Sequence, residues 1–291
     1  MPLLRCVPLA NRGIVRAAGT DARTLLQGLV SNDLDLLAPE RPLYAALLTP
    51  QGKYLYDFIV YDAGDALLLD AERARLDGLI QRLTLYRLRA EVTFSDESER
   101  LAVLAAFDRG PVPEAALPHG TAPPDPRLAE LGRRVLPPRQ AVPRFMAEHG
   151  LVPAEPVEYD RLRLSLGVPD GSRDLVVERS LLLESGFEEL NGVSFTKGCF
   201  VGQELTARTK HRGLVKRRLL PVRVDGPLPA PGTPVTRGGR DAGEVRSGAG
   251  NLALALLRLE QLAATGEPLV AGEALLTPAP PPWLPLSVLG R

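Results

Sequence analysis

The chain has few of the residues that characterise secreted or metal-dependent proteins. Among its 291 residues are two cysteines and three histidines, and aromatic residues make up 5%. Two cysteines allow one disulfide bond but no disulfide framework, so we expect a reducing compartment and a cytoplasmic protein. Two cysteines are also too few for the four thiolates of an ordinary iron–sulfur cluster. The histidines show no metal-ligand spacing.

The chain also lacks an excess of charge of either sign and any long apolar run. Lysine plus arginine and aspartate plus glutamate both number 35, so no global field attracts nucleic acid or membrane, and such an affinity requires a local patch. No apolar run approaches the ~18 residues of a membrane span. The segment Met1–Arg5 is not a basic region followed by a long apolar stretch. We therefore expect neither membrane association nor a secretory signal.

The periodicity of the first hundred residues predicts a mixed fold. Strands are predicted at residues 13–17, 44–48, 54–61, 66–69 and 90–94, and helices around Leu25–Leu29 and over 72–85. The order of three strands, a helix and a strand favours a mostly antiparallel sheet with helices on one face. The sequence therefore predicts an α+β fold.

The composition and the pattern of apolar residues change twice in the second part of the chain. Nine prolines between residues 111 and 143 predict a connector, with some order around 128–131, because proline at that density disfavours helices and central strands. A helix is predicted over 158–166. After Arg218, short apolar runs alternate with glycine- and proline-rich turns, which is typical of a small β-barrel or sandwich. We place a domain boundary near residue 216.

Cys199 lies in the segment whose residues most strongly indicate a reactive or ligand-binding site. It lies between Gly198 and Gly202, Lys197 precedes it by two residues, and a helix is predicted over 203–208. A nearby cation and a helix N-terminus both favour the thiolate, which would lower the pKa of the thiol and make it nucleophilic or metal-binding. The alternative is a buried structural cysteine, the commoner state of free thiols, and we assign that state to Cys6.

The same segment is locally basic. Between residues 197 and 218 there is one acid, Glu204, and seven basic residues: Lys197, Arg208, Lys210, Arg212, Lys216, Arg217 and Arg218. A solvated face is the usual meaning of such a run. The alternative is a site for a polyanion, such as a polyglutamate tail, a phosphate or an RNA backbone. Only two aromatic residues, Phe195 and Phe200, lie among or next to these basic residues. This gives little support to a site that stacks the bases of a single-stranded nucleic acid.

Here the sequence resembles a known family. Lys197–Glu204 reads KGCFVGQE and resembles the signature K-G-C-[FY]-x-G-Q-E of the YgfZ family, which is related to the GcvT aminomethyltransferases of glycine cleavage. The resemblance extends to Ala207–Gly213, to Gly13–Leu34 with its Asn-Asp pair, to the strand over 52–61 and to the turn over 162–169. The stretch over 243–260 is similar to the family's barrel domain.

The resemblance implies a fold and a function. The fold would be a three-lobed ring, with two interleaved ferredoxin-like α+β lobes in residues 1–215, the second roughly over 50–142, and a β-barrel over 216–291. Tetrahydrofolate or a related folate would bind in the central hole. The site would draw on Cys199 and on the folate-binding residues Asp57, Ser165, Lys197, Gln203, Glu204, Arg208, Lys210 and Arg212. Cys199 would be the reactive centre and a candidate ligand of a transient iron–sulfur cluster.

The same resemblance implies partners. Members support assembly or repair of iron–sulfur enzymes, some of which modify tRNA. We therefore expect iron–sulfur assembly proteins and client enzymes as partners, with tRNA as an alternative.

Two departures from the GcvT pattern bear on catalysis. GcvT enzymes carry an Asp-Asp pair where this chain has Tyr56-Asp57, and a pterin-binding glutamate where it has Ser165. A serine hydroxyl cannot accept two hydrogen bonds from the pterin as a carboxylate does. We therefore expect a maturation factor acting through Cys199. The alternatives are a tetrahydrofolate-dependent aminomethyltransferase, for which we expect no activity, and a tRNA-binding module.

Overall fold

The computed structural model describes residues 4–108, 110–113, 117, 122–213, 215–264 and 266–285. The α-helices of these segments are α1 (Ala22–Leu29), α2 (Leu76–Arg87), α3 (Val142–Glu148), α4 (Pro156–Ser165), α5 (Gln203–His211) and α6 (Leu259–Ala263). The strands are β1 (Arg5–Pro8), β2 (Arg12–Ala18), β3 (Leu43–Leu48), β4 (Tyr54–Asp62), β5 (Ala66–Glu72), β6 (Thr93–Asp96), β7 (Leu104–Phe107), β8 (Arg133–Val135), β9 (Val152–Pro153), β10 (Arg217–Asp225), β11 (Pro234–Arg237), β12 (Arg240–Ala249), β13 (Leu252–Arg258), β14 (Leu269–Ala271) and β15 (Ala274–Pro278).

These elements form two compact units, each built from three segments of the chain. The first unit contains the described residues of Met1–Thr49, Leu55–Tyr159 and Leu190–Val201. The second contains those of Pro50–Tyr54, Asp160–Glu189 and Gly202–Arg291. The α+β class predicted from the sequence is confirmed. The predicted boundary at residue 216 and the limits of the second lobe stay predictions.

The main sheet of the first unit has the strand order β3-β4-β5-β2-β6. Strand β5 pairs antiparallel with β4 and β2, and β2 pairs antiparallel with β6. Alternate residues such as Val15, Phe58 and Leu69 share one buried cluster with Leu26 of α1 and Leu79 of α2. Both helices therefore cover the same face of the sheet, as the alternation of strand residues requires.

The first unit also contains a second sheet that the sequence analysis did not predict. Its order is β8-β7-β1-β9, with β1 antiparallel to β7 and parallel to β9. The proline-rich connector supplies its edge strand β8, and residues 114–116 and 118–121 of that connector lie outside the described residues. An edge strand tolerates neighbouring prolines, and here Pro123 and Pro124 lie beside β8, where the Pro123 oxygen accepts from the Arg134 N–H at 3.1 Å.

A buried ionic network lies on the face of the main sheet opposite the helices. Arg12 Nε donates to Asp70 at 2.6 Å, and Arg134 contacts both Asp70 (3.3 Å) and Asp125 (3.1 Å). Arg127 donates to both oxygens of Asp125, at 2.9 and 2.7 Å. All five side chains are buried. Burial tends to raise the pKa of Asp125, but the arginines outweigh it and lower this pKa to about 2.

The second unit contains a closed barrel with the strand order β10-β13-β12-β11-β14-β15. Its interior is filled by small and branched side chains, including Val222, Val245 and Leu257. This confirms the small C-terminal β-barrel predicted from the alternating apolar runs. Closure leaves no unpaired strand edge in the barrel.

A buried arginine joins α4 to the barrel. Arg163 donates to Asp174 at 2.6 Å and to Ser247 Oγ of β12 at 2.8 Å, and Ser247 in turn donates to Asp174. Since each group in this network is bonded to another, the buried charge is compensated. Among the described helices none is long and apolar enough to cross a membrane.

Candidate functional site

Cys199 lies on an exposed loop whose neighbours are anchored in the first unit. Its side chain is a free, exposed thiol. The next residue, Phe200, is buried, and Val201 packs against the main hydrophobic cluster. Gly198 has no atoms within 4 Å of the position where a Cβ would lie. The loop therefore fixes its backbone on both sides of the cysteine and leaves the sulfur accessible.

Lys197 holds this loop against the end of α1. Its ammonium group donates to the backbone oxygens of Gln27 (2.7 Å), Val30 (2.8 Å) and Asn32 (2.7 Å). These acceptors lie at the C-terminus of the helix, where carbonyl groups are unpaired and the helix dipole favours a cation. The ammonium also lies 5.2 Å from the ring centre of Phe200. Lys197 was predicted to bind folate and to activate the thiol, and both roles stay predictions.

Burial lowers the pKa of Lys197 to about 8, and the nearby carboxylates of Asp33 and Asp35 act against this shift. At neutral pH the amine is therefore mostly protonated and retains its three donors. Nothing in the sequence except the basic residue itself indicates this arrangement, because the acceptors are backbone atoms some 165 residues earlier.

Lys197→Met should lower the free energy of unfolding by about 1–3 kcal/mol, because three half-buried backbone acceptors lose their donor. Urea unfolding at pH 7 measures this loss. Lys216→Met is the matched control, since Lys216 is exposed and a surface change of this kind stays within about 0.5 kcal/mol. Equal stability of the two variants would show that the three bonds contribute nothing.

Cys6 differs from Cys199 in every respect that governs reactivity. It is fully buried in the core below the second sheet, and burial raises the pKa of its thiol to about 11. A thiol of this kind is inert. Cys199 is thus the accessible one of the chain's two cysteines. In the part of the chain that the structure describes, no group of three or more His, Cys, Asp or Glu side chains could hold a metal ion.

The predicted anion-binding residues lie on α5 of the second unit but do not share one face. Arg208, Lys210 and Arg212 are all exposed, while Thr206 and Thr209 form the buried side of the helix. At 100° per residue, Lys210 lies about 200° from Arg208, and its amine pairs with Glu188. Arg212 follows the helix on the side of Arg208. Arg208 and Arg212 therefore lie on a side of the helix that Lys210 does not share, and the assignment of all three residues to an anion site stays a prediction.

The other two residues predicted on α5 lie in its first turn. Gln203 begins the helix, and Glu204, which is exposed, follows it. The preceding Gly202 has a φ of 82°, which glycine adopts without strain. Gly52 packs closely here: a Cβ on it would lie 2.8 Å from the Gly202 oxygen. A side chain at position 52 would therefore displace the start of α5.

Asp57 is buried on the face of the main sheet that carries the ionic network. The hydroxyl of Tyr44 donates to its carboxylate at 3.0 Å. Burial and the adjacent Asp57 charge raise the pKa of Tyr44 well above its ordinary value. Tyr44 was missed by the sequence analysis because β3 reads as a plain apolar run.

Ser165 ends α4 in the second unit and is exposed. Its hydroxyl donates to the backbone oxygen of Leu162 at 2.7 Å, one turn earlier in the same helix. Such a bond is local to the helix and shows no preformed acceptor for a ligand.

Comparisons with known proteins agree with this architecture. The fold matches the crystal structure of glycine cleavage system aminomethyltransferase T from Bartonella henselae with a TM-score of 0.75 and 15% identity, over 97% of this chain and 86% of that one. Residues 216–286 match the CAF17 C-terminal beta-barrel domain. The molecule thus has the GcvT-like fold that the sequence predicted.

Two relatives define the family more closely. The chain is 37% identical over 284 residues to "Iron-sulfur cluster assembly factor IBA57, mitochondrial" of Mus musculus, covering 88% of this chain and 78% of the relative. It is also 37% identical, over 286 residues and the same shares of each chain, to the Homo sapiens protein of that name. The chain belongs to the family of IBA57 iron–sulfur cluster assembly factors.

Proposed function

We propose that the chain supports iron–sulfur cluster assembly or repair in client enzymes by offering Cys199 as a cluster ligand. The observation that carries the proposal is a single accessible thiol on a backbone anchored on both sides, in a chain whose relatives are named as assembly factors. A thiolate is the ligand that iron–sulfur clusters prefer.

One thiolate cannot hold a cluster by itself. An ordinary cluster needs about four protein ligands. The described residues offer no other cysteine at the surface. The remaining ligands therefore come from a partner, and we propose an iron–sulfur assembly protein in that role. On ligation the Cys199 thiol releases its proton to solvent and its sulfur bonds to iron, so no electron transfer is required.

Anaerobic reconstitution tests this proposal. The chain, a recombinant iron–sulfur carrier protein from the same organism, and an equimolar mixture of the two each receive ferrous iron and sulfide, and their visible spectra are recorded after gel filtration. We expect a cluster chromophore that co-elutes with the complex in the mixture, and none on the chain alone. A cluster held stably by the isolated chain, or none transferred into a complex, would contradict the shared-ligand proposal.

Folate binding is a separate proposal, and the described residues fit a pterin poorly. Asp57 supplies a buried carboxylate that already accepts the Tyr44 hydroxyl, and Ser165 offers a hydroxyl bonded to its own helix. Neither group by itself replaces the Asp-Asp pair and the pterin-binding glutamate that GcvT enzymes carry at these positions. We therefore propose weak folate binding without aminomethyl transfer.

Ser165→Glu should tighten tetrahydrofolate binding if the missing carboxylate limits affinity, because a charged acceptor paired with the pterin gives hydrogen bonds worth about 1.5–3 kcal/mol. The expected gain is therefore roughly tenfold or more in Kd, measured by isothermal titration calorimetry. Ser165→Gln is the matched control, since it adds similar volume without charge. An unchanged Kd in the glutamate variant would show that Ser165 does not contact the pterin.

The tRNA alternative and the compartment remain proposals of lower rank. The exposed Arg208 and Arg212 are compatible with an RNA backbone, but they amount to two charges rather than a continuous stripe. The relatives carry the word mitochondrial in their names, so a cytoplasmic location for this chain stays a prediction.

A further inference from the structure

The last turn of α2 presents leucines to solvent instead of to the core. The buried face of this helix consists of Leu76, Leu79 and Leu83. Leu85 is 67% exposed and lies about 180° from Leu76 around the helix, and Leu88, just after the helix, is 86% exposed. Among the described residues these are the two most exposed large hydrophobic side chains. Most of the surface of both side chains therefore faces solvent instead of the core.

Leu88 also has an unfavourable backbone conformation. Its φ is 48° and its ψ is −105°, at the position that caps the C-terminus of α2. For a branched side chain such a conformation costs on the order of 1–3 kcal/mol, whereas glycine adopts it freely. The chain thus holds a large apolar side chain in solvent at a position where glycine would be more stable. Strain of this kind is characteristic of functional positions.

Three arginines without a carboxylate partner among the described residues lie close in sequence to the two leucines. Arg82, Arg87 and Arg89 fall within the segment 78–90, which contains no acidic residue, in a chain of zero net charge. Across the described part of the chain, no carboxylate oxygen lies within 4.0 Å of any of these three guanidinium groups. Arg87 donates to the Val92 oxygen at 3.3 Å and remains exposed. The segment is therefore a local positive patch with an apolar centre.

A shallow hollow adjoins this patch. Its volume is about 440 Å³, and it is lined by Arg87 and by small or apolar residues that include Ala18, Ala90 and Val92, with Glu91 also in its wall. Protruding leucines next to a recess allow a partner to interlock with the surface instead of lying flat on it.

We propose that Leu85, Leu88, Arg82, Arg87 and Arg89, here called the Leu88 surface, dock a partner protein that presents carboxylates around an apolar recess. Arginines and apolar anchors are enriched in protein interfaces, and the unpaired positive charge selects an acidic partner. A membrane is disfavoured because the rest of the apolar face of α2 is buried, which leaves two leucines to insert. The proposal stands whether or not Cys199 ligates a cluster.

The size of the patch indicates a transient complex. A stable interface needs about 20–30 residues on each side, whereas the Leu88 surface has five. Two apolar anchors and three charged side chains are typical of a complex that dissociates readily. Association is expected to weaken as salt rises, because Arg87 and Arg89 are exposed, Arg82 is half-buried, and the field of exposed charges is screened.

The partner is identified by photo-crosslinking and then measured directly. The full-length chain carries p-benzoylphenylalanine at position 88 in living cells of its source organism, and a matched chain carries it at position 240, an exposed site on the barrel. A protein that crosslinks at 88 and not at 240 is purified and titrated against the chain by isothermal titration calorimetry. Leu85→Ser/Leu88→Ser and Arg87→Glu/Arg89→Glu should each weaken Kd about tenfold or more, and Arg240→Glu should not.

Leu88→Gly separates docking from structure. Because it relieves the backbone strain and removes an exposed apolar group, it should leave the midpoint of urea unfolding unchanged or raise it. The same variant should weaken partner binding severalfold, since it deletes the most exposed anchor. A merely structural Leu88 would change stability without changing Kd.

Each other result overturns the proposal. No crosslinked protein, or a crosslinked protein whose Kd both double variants leave unchanged, shows that the surface does not dock. A second copy of the chain as the sole adduct shows self-association. Binding to vesicles containing phosphatidylserine, or to tRNA, that the Leu88 surface variants abolish shows that the occupant is a membrane or an RNA.

Discussion

Cys199→Ser is expected to abolish the cluster chromophore that the wild-type chain forms together with an assembly protein. A serine hydroxyl is far less acidic than a thiol and provides no thiolate to iron. Because the side chain is exposed, the free energy of unfolding should change by less than about 0.5 kcal/mol. Visible absorption of the reconstituted complex and urea unfolding of the free chain measure the two effects.

Cys6→Ala is the control for Cys199→Ser. It removes the other thiol of the chain, which is buried and whose pKa is raised to about 11. The chromophore should survive in this variant, with only a modest loss of stability from the small cavity. A full chromophore in Cys199→Ser, or its loss in Cys6→Ala alone, would assign the ligand to another group.

Asp125→Asn is expected to lower the free energy of unfolding at pH 7 by about 3–5 kcal/mol. The substitution leaves Arg127 as a buried charge without its carboxylate and removes one of the two carboxylates that Arg134 contacts, which is the costly way to break a buried pair. Asp65→Asn is the matched control: it removes the carboxylate of an exposed ion pair with Arg16, worth about 0–1 kcal/mol. Urea unfolding of the three proteins measures the difference.

The pH dependence gives this prediction a second readout. The pKa of Asp125 is about 2 in the folded chain and 3.8 for an ordinary aspartate, so the unfolded state binds the proton first as the pH falls. The stabilisation from Asp125, about 2–3 kcal/mol, is fully present above about pH 4 and is lost as the pH falls to about 2. The Asp125→Asn variant should lose less stability over that range. Parallel curves for variant and wild type would contradict the low pKa.

The sequence predicted the elements whose periodicity is strong and local. The strands of the main sheet, α1, α2 and α4 lie close to their predicted positions, and the barrel lies after Arg218 as predicted, because alternating or helical spacing shows which face each residue buries. The strand predicted over 90–94 begins at Thr93 instead. Strands β1, β7 and β8 were not predicted, because they have three or four residues each and gain stability from pairing with one another over long sequence separations.

The sequence predicted which of the two cysteines is accessible, but not how the loop around it is held, and the role of Cys199 stays a prediction. Two flanking glycines and a lysine distinguished Cys199 from Cys6, and the structure places the first thiol at the surface and the second in the core. The partners of Lys197 were not predictable, because backbone carbonyls have no sequence signature. The spacing of Arg208, Lys210 and Arg212 could have been read on a helical wheel: residues two apart face different sides.

The interleaving of the two units has a consequence for biosynthesis. The second unit takes Pro50–Tyr54 from early in the chain and its remaining segments from residues 160–189 and 202–291, whereas the first unit needs residues as late as Val201. Neither unit can therefore be complete while a ribosome is still making the middle of the chain. Residues 50–54 are synthesised about 100 residues before the next segment of the second unit. During synthesis they therefore stay unpacked and accessible to chaperones. For the same reason, no single cut in the chain releases either unit whole.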